Sequence, residues 1–247
     1  MIRPPLGWPL PRIFAHRGGG ALAPENTLAG LRLAARLGLR AVEFDVMLSA
    51  DGTPWLIHDE TLERTTSGCG RVGETSDAVL RVLDAGAGQH PAFAGEPLPT
   101  LESAAGVCRQ LGLWVNVEIK PASGCEALTG DVVARHVRRL WAGDDLPLVS
   151  SFSETTLAAA RAAVPDLPLG SVYERPPADW LTRVDALAAL TLHCAASSLD
   201  DELRWAARRA GIPLLCYTVD DPHRAAALFR SGVAAVFSDR IDRLGES

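Results

Sequence analysis

The chain has 247 residues, 47% of them hydrophobic and 22% charged, with a formal net charge of −6. This composition is ordinary for a globular protein with one core, and the negative balance argues against a broad nucleic-acid-binding face. We therefore expect a single domain over 1–247. We also expect it in the cytoplasm, because no apolar run approaches the roughly 20 residues that cross a bilayer and residues 1–11 lack the apolar core of a signal peptide.

Strand-like and helix-like segments alternate along the chain. Apolar, β-forming runs predict strands at 13–16, 41–48, 114–120, 148–152, 169–173, 190–195, 213–219 and 234–237. Apolar residues at helical spacing predict helices at 27–38, 100–112, 127–141, 154–164, 178–189, 203–210 and 222–232. Eight strand–helix units in about 250 residues match the size of a (β/α)8 TIM barrel. The alternative is an open, doubly wound sheet of similar content.

One long segment departs from this alternation. After the second strand, an extended run over 55–57 ends at His58, and the periodicity then weakens from 61 to 99, apart from a short predicted helix at 76–82. Long segments of this kind are usually functional insertions. We therefore expect a small inserted subdomain at about residues 60–98.

Charged residues collect at the ends of the predicted strands, where barrel enzymes carry their active sites. Glu43 and Asp45 are two residues apart on one strand and point the same way, and Glu118 and Lys120 repeat this spacing on the next strand. Three carboxylates at one barrel mouth would repel each other unless a cation joined them, and oxygen ligands favour Mg²⁺ or Ca²⁺. The alternative is that these acids form ion pairs with Arg17 and Lys120.

Two histidines, His16 and His58, fall at the same mouth and suit acid–base catalysis near neutral pH. Their roles as acid and base are interchangeable at this stage. His193 is ambiguous between a core residue and a site residue. Lys120 is the one lysine among 24 basic residues, which favours a specific task for a compact charge. We expect Arg17 and Lys120 to hold phosphate oxygens.

The glycine run after the first strand permits a second hypothesis. Residues 18–23, GGGALA, match the G-x-G-x-x-[GA] pattern of dinucleotide-binding folds, with Glu43 at a plausible distance. That hypothesis predicts a nicotinamide-dependent oxidoreductase. However, Pro24 lies where the fingerprint helix should already run, and the hypothesis leaves His16, Arg17 and Lys120 without roles. We therefore interpret the glycines as making room for a substrate.

Taken together, these segments resemble one known family. They are AHRGGGALAPENTLAG, VEFDVMLSADGTPWLIHDETLERTTSGCG, EPLPTLES, NVEIKP and LLCYTVDDPHRAAALFRSGVAAVFSDR. From about residue 12 to residue 243 the chain resembles the glycerophosphodiester phosphodiesterases, most closely the cytosolic bacterial type linked to glycerol 3-phosphate uptake.

The resemblance implies a fold, a reaction and a set of roles. It implies a (β/α)8 barrel that hydrolyses a small-molecule substrate, a glycerophosphodiester such as glycerophosphocholine or glycerophosphoethanolamine, to glycerol 3-phosphate and an alcohol. The site residues it implies are the acid–base pair His16 and His58, the ligands Glu43, Asp45 and Glu118 of one divalent ion, and the substrate contacts Arg17, Lys120 and Tyr217.

One position departs from the family pattern. Tyr217 stands where relatives often have an aromatic residue before Thr-Val-Asn, and Asp220 replaces that asparagine. This puts a peripheral polar contact in doubt. A catalytically inactive barrel used as a binding module would have lost a histidine or a metal carboxylate, and every one of those residues is present.

Overall fold

The computed structural model describes residues 11–143 and 146–244. The strands in these residues are β1 Ile13–Ala15, β2 Ala41–Leu48, β3 Pro54–Leu56, β4 Trp114–Ile119, β5 Leu148–Ser151, β6 Leu169–Tyr173, β7 Thr191–Ala195, β8 Leu214–Tyr217 and β9 Ala235–Ser238. The α-helices are α1 Leu28–Arg36, α2 Asp77–Leu80, α3 Leu101–Leu111, α4 Glu126–Leu140, α5 Glu154–Ala163, α6 Trp180–Ala186, α7 Asp201–Ala210 and α8 Pro222–Arg230. The expectation that the chain lacks a signal peptide concerns residues 1–11. Of these, the structure describes Pro11 alone, so this expectation lies outside the described residues.

The parallel strands close into a barrel. Their order is β1, β2, β4, β5, β6, β7, β8, β9, and β9 pairs back with β1. The predicted (β/α)8 TIM barrel is therefore confirmed, and the open-sheet alternative is wrong. β3 lies outside the ring and pairs antiparallel with the end of β2, at Val46↔Leu56. This hairpin extends the sheet beyond the end of β1 and carries the chain to His58 at the barrel mouth.

Strand side chains alternate between two hydrophobic clusters. One alternate set, which includes Val42, Phe44 and Val46, packs against the helices in the main core. The other set fills the inside of the barrel and includes Phe14 and Phe237. The inserted segment between β3 and α3 packs in a separate small cluster against Met47 of β2 and Trp55 of β3. The residues that the segment contributes are Ile57, Leu62, Val72, Leu80, Ala85 and Leu98. The rigid barrel wall thus supports the polar groups that follow each strand.

The helices begin at capping side chains that the sequence indicates. Thr27, Thr100, Ser153 and Asp221 each accept a hydrogen bond from a backbone amide in the first turn of the following helix. The predicted helices at 178–189 and 76–82 are shorter in the structure, at Trp180–Ala186 and Asp77–Leu80. Of the helices described, none is both long and apolar enough to cross a membrane.

Candidate active site

A cavity of about 270 Å³ opens at the carboxyl ends of the strands. Its lining includes every site residue singled out from the sequence: His16, Arg17, Glu43, Asp45, His58, Glu118, Lys120 and Tyr217. The other lining residues are Phe152, Val172, His193, Thr218 and Phe237. The fold therefore brings together residues from strands that are far apart in the chain.

Three carboxylates form the charged side of the cavity. Oxygen atoms of Glu43, Asp45 and Glu118 lie within 4.8 Å of one another. The arrangement follows from register, since Asp45 on β2 pairs with Glu118 on β4. Glu43 and Asp45 are each only 2% exposed. Such buried like charges need cationic partners.

The β1–α1 loop holds two of these acids in place. The backbone amide of Arg17 donates to Glu43 Oε2 at 2.9 Å. Asn26 makes two bonds to Asp45, donating from Nδ2 to Oδ2 and accepting from the backbone amide, both at 3.0 Å. Asn26 has φ +57°, a conformation that asparagine tolerates better than most residues. The structure therefore assigns the helix cap to Thr27 and gives Asn26 a role in orienting the carboxylate of Asp45.

Two cations lie close to the three acids but do not pair with every carboxylate oxygen. Lys120 Nζ lies 2.5 Å from Glu118 Oε1 and 3.7 Å from Asp45 Oδ1, and Arg17 Nε lies 3.7 Å from Asp45 Oδ2. The ion pairs of the alternative interpretation are thus present in part. Glu43 Oε1, however, is buried without a hydrogen-bond partner among the described residues. This unpartnered oxygen fits a cluster that accepts a further cation.

The pKa shifts reflect the same imbalance. Burial and the neighbouring charge of Asp45 raise the pKa of Glu43 to about 8. Burial also disfavours the charged form of Asp45, but Lys120, His58 and Arg17 outweigh it and lower the Asp45 pKa. Without a bound cation, these shifts therefore disfavour the ionisation of all three carboxyl groups together.

His16 is oriented by Asp239 at the end of β9. Asp239 Oδ1 accepts a hydrogen bond from His16 Nδ1 at 2.7 Å. Burial disfavours the imidazolium, but this bond and the charges of Glu43 and Asp239 raise the pKa of His16 to about 9. Asp220 holds the backbone in turn, since its Oδ1 accepts from the Asp239 amide at 2.8 Å and from Ser238 Oγ at 3.0 Å. Asp220 therefore makes polar contacts of its own, and they hold the backbone of the residue that orients His16.

His58 belongs to a chain of ion pairs. Its Nδ1 donates to Asp59 Oδ1 at 2.6 Å, and Arg64 donates to Asp59 Oδ2 at 2.5 Å. Arg64 also donates to Glu25 Oε2 at 2.7 Å, and Glu25 Oε1 accepts from Arg17 at 3.1 Å. Arg64 lies in the inserted segment, so this segment connects the orientation of His58 to that of Arg17.

The glycine loop has a different role from the one expected. Gly18, Gly19 and Gly20 do not line the cavity. A Cβ on Gly19 would lie 2.8 Å from the Cα of Gly30 in α1, and a Cβ on Gly20 would lie 2.4 Å from the backbone oxygen of Asp239. The interpretation that these glycines make room for substrate is therefore wrong. Their missing side chains let the loop pack against α1 and against the segment after β9.

We expect Gly20→Ala to impair both stability and activity. The position has φ +56°, and the added methyl would collide with the backbone of Asp239. Because Asp239 orients His16, the shift should lower kcat, together with a loss of roughly 1–3 kcal/mol in the free energy of unfolding. Urea unfolding and steady-state kinetics measure the two effects. Gly88→Ala, where a Cβ meets nothing within 4 Å, is the matched control.

Tyr217 contributes its ring, not its hydroxyl, to the cavity. The hydroxyl donates to the backbone oxygen of Tyr173 at 2.9 Å. The ring stands edge-on to Phe152, with centroids 6.0 Å apart, and Lys120 Nζ lies 4.8 Å from the Phe152 centroid. These aromatic rings therefore form an apolar wall next to the charged cluster.

Several residues contribute to the site in ways that the sequence analysis did not predict. Asp239 follows closely on the predicted strand at 234–237, but nothing local points to its partner His16, which is 223 residues away. Glu25 and Asn26 belong to residues 24–27, PENT, within a segment that resembles the family, but no sequence pattern indicates which residues they contact. Arg64 lies in the aperiodic insertion, where no pattern distinguishes it from other arginines.

Comparison with known proteins agrees with this geometry. The model of the glycerophosphoryl diester phosphodiesterase family matches residues 16–243. A glycerophosphodiester phosphodiesterase of Caldanaerobacter subterraneus subsp. tengcongensis is 30% identical to this chain over 229 residues, which cover 92% of the chain and 93% of that protein.

Solved structures show the same similarity. A phosphodiesterase of Oleispira antarctica, determined in complex with the product sn-glycerol-3-phosphate, is 38% identical with a TM-score of 0.90 and covers 94% of each chain. A glycerophosphodiester phosphodiesterase of Agrobacterium tumefaciens is 29% identical with a TM-score of 0.80, over 94% of this chain and 98% of that one.

Proposed function

Because this chain belongs to the glycerophosphoryl diester phosphodiesterase family, we propose that it hydrolyses deacylated phospholipids such as glycerophosphocholine and glycerophosphoethanolamine to glycerol 3-phosphate and an alcohol. The observation that carries this proposal is the cavity itself. Three acids, two aspartate-bound histidines and two phosphate-binding candidates line one space at the barrel mouth. The product in the Oleispira antarctica structure supports the same reaction class.

One divalent ion, Mg²⁺ or Ca²⁺, would be held by Glu43, Asp45 and Glu118. The donor set fits such an ion, since it consists of buried oxygens and includes the unpartnered Glu43 Oε1. When bound, the ion neutralises charge that develops on the phosphate and lowers the pKa of an attacking oxygen. The contacts from Arg17 and Asn26 hold the ligands in position before it binds.

Arg17 and Lys120 would bind the phosphate oxygens. Arg17 Nε is buried without a hydrogen-bond partner among the described residues, so it has a donor to offer. Lys120 Nζ lies between the acid cluster and the aromatic wall. A phosphate placed there meets both cations, which offset its negative charge.

His16 and His58 would transfer the protons. In each, Nδ1 is bonded to an aspartate, which leaves Nε2 available to substrate. One histidine takes the proton of the attacking hydroxyl, and the other gives a proton to the leaving alkoxide. The attacking hydroxyl belongs either to water or to the substrate's own 2-hydroxyl, and both routes use this pair.

The direct test measures glycerol 3-phosphate released from a panel of glycerophosphodiesters, with and without Mg²⁺ or Ca²⁺. We expect metal-dependent release from glycerophosphocholine and glycerophosphoethanolamine. Absence of product from every diester in the presence of metal would refute the proposed function. ³¹P NMR of the same reactions reports the route, since attack by the 2-hydroxyl forms a transient cyclic phosphodiester.

Lys120→Arg should lower kcat/KM at least about tenfold, although the charge is kept. The guanidinium is a planar fork and cannot reproduce the compact ammonium that lies 2.5 Å from Glu118 and near the Phe152 ring. Steady-state kinetics with glycerophosphocholine measure the loss. Arg135→Lys, at an exposed pair on α4, is the matched control and should behave as wild type. Wild-type kinetics for Lys120→Arg would remove the specific role of the lysine.

A further inference from the structure

The cavity has a second side that the proposed mechanism does not use. In the ring of eight parallel strands, β7 lies across from β2, which carries Glu43 and Asp45. On that far side Val172 and Phe237 supply apolar surface, and the Tyr217 hydroxyl is already bonded to a backbone oxygen. His193 on β7 is a polar group in this wall, and it is only 1% exposed. It lies one inward-facing position before the end of its strand, below the rim of the barrel.

The surroundings of His193 fix its ring. Thr191 Oγ1 lies 2.9 Å from His193 Nε2, and the Phe237 ring centroid lies 5.3 Å from that of the imidazole. Gly170 on β6 provides the space, since a Cβ there would lie 2.8 Å from Nε2 and 2.6 Å from Thr191 Oγ1. The imidazole is therefore held in one orientation by packing and by one hydrogen bond.

The other ring nitrogen of His193 is unused. Nδ1 has no hydrogen-bond partner in the part of the chain that the structure describes, although the ring lines the cavity. Burial lowers the pKa of His193 to about 3, so the ring is neutral at physiological pH. In a ligand pocket, a few polar groups in a mostly apolar wall fix the orientation of the ligand, and this nitrogen is available for that task.

We propose that His193 binds a hydroxyl group of the glycerol moiety through Nδ1 and thereby selects glycerol-containing phosphoesters. This inference rests on the proposed function. The glycerol is the constant part of the substrates, whereas the alcohol varies, so a rigid polar group deep in the cavity suits the glycerol. A hydroxyl both donates and accepts, so it can pair with either tautomer of the ring. With the phosphate at Arg17 and Lys120, the glycerol extends across the cavity to the opposite wall.

The test compares two phosphate monoesters by calorimetry in buffer that contains Mg²⁺ or Ca²⁺. Glycerol 3-phosphate carries the two hydroxyls, and n-propyl phosphate has the same carbon chain without them. Wild-type protein should prefer glycerol 3-phosphate. In His193→Phe this preference should fall about three- to tenfold, the value of one neutral hydrogen bond, while the affinity for n-propyl phosphate stays the same. Equal losses for both ligands, or no loss, would overturn the proposal.

Two further variants keep the test decisive. Thr191→Val removes the hydroxyl that orients the imidazole and should lower the preference by about twofold or more. If His193→Phe does not fold, as judged by circular dichroism, an unchanged preference in folded Thr191→Val overturns the proposal. Ser171→Ala on β6 is the matched control, since Ser171 is buried outside the cavity and makes no side-chain hydrogen bond among the described residues.

The outcomes separate this inference from the proposed function. If wild-type protein releases glycerol 3-phosphate from glycerophosphocholine but His193→Phe keeps the full preference, the role of His193 is wrong and the function stands. If wild-type protein neither hydrolyses the diester nor binds glycerol 3-phosphate, both fail.

Discussion

Replacing His16 or His58 with alanine is expected to lower kcat by about 10²–10⁴, the usual contribution of a general acid or base. Each imidazole lines the cavity, and each is held by an aspartate at 2.6–2.7 Å. Alanine removes the proton carrier but creates little strain, because both side chains lie at the partly open barrel mouth. The measurement is steady-state kinetics on glycerophosphocholine, with circular dichroism to show that the fold is kept.

The controls for this prediction are in the same chain. His223→Ala changes an exposed histidine on α8 and should leave kcat unchanged. Asp239→Asn and Asp59→Asn keep the shape of the orienting residues but remove their charge, so we expect smaller losses than from the histidine variants. Near-wild-type kcat in His16→Ala or His58→Ala would exclude that histidine as a proton carrier.

Removing divalent ions with EDTA is expected to lower activity by about 10³ or more, and Mg²⁺ or Ca²⁺ should restore it. The expectation follows from charge: the carboxylates of Glu43, Asp45 and Glu118 face two fixed cations, and one buried Glu43 oxygen has no partner among the described residues. Full activity of thoroughly chelated protein would show that the acid cluster works without an ion.

A thermal measurement tests the same site without activity. An ion that binds the folded chain preferentially raises Tm, so wild-type protein should gain stability when Mg²⁺ or Ca²⁺ is added. Glu43→Gln removes a negative charge at nearly constant volume and should abolish most of that gain. Glu102→Gln, which removes an exposed carboxylate on α3, is the matched control and should retain the gain. An equal gain in Glu43→Gln and wild type would contradict the assignment of Glu43 as a ligand.

Much of the site could be predicted because a barrel imposes a simple geometric rule. Alternating strand and helix patterns predict the units, and the carboxyl ends of parallel strands share one face. His16, Glu43, Asp45 and Glu118 follow from that rule, because each is a polar residue in or just after an apolar strand. Their convergence in the cavity agrees with it.

Other parts of the site depend on contacts that no local pattern reveals. Asn26 is a reasonable helix cap in the sequence, and only the folded loop shows it bonded to Asp45. The glycine run resembles a phosphate or substrate loop, yet it packs against α1 and the residue after β9. Arg64 reaches Asp59 and Glu25 from an insertion without periodicity.

The sequence by itself determined the alternation of strands and helices, the polar residues at the strand ends and the types of chemical group available, whereas the closure of the sheet into a barrel came from the structure. Hydrophobic periodicity is a local property with repeats of 2 and 3.6 residues, so it is visible in the chain. The tertiary structure alone decided which nitrogen of each histidine is bonded, which acid oxygen lacks a partner and where His193 faces the cavity. Those features arise when barrel closure brings residues as distant as His16 and Asp239 into contact, and the free energy of such contacts depends on distances that sequence spacing does not contain.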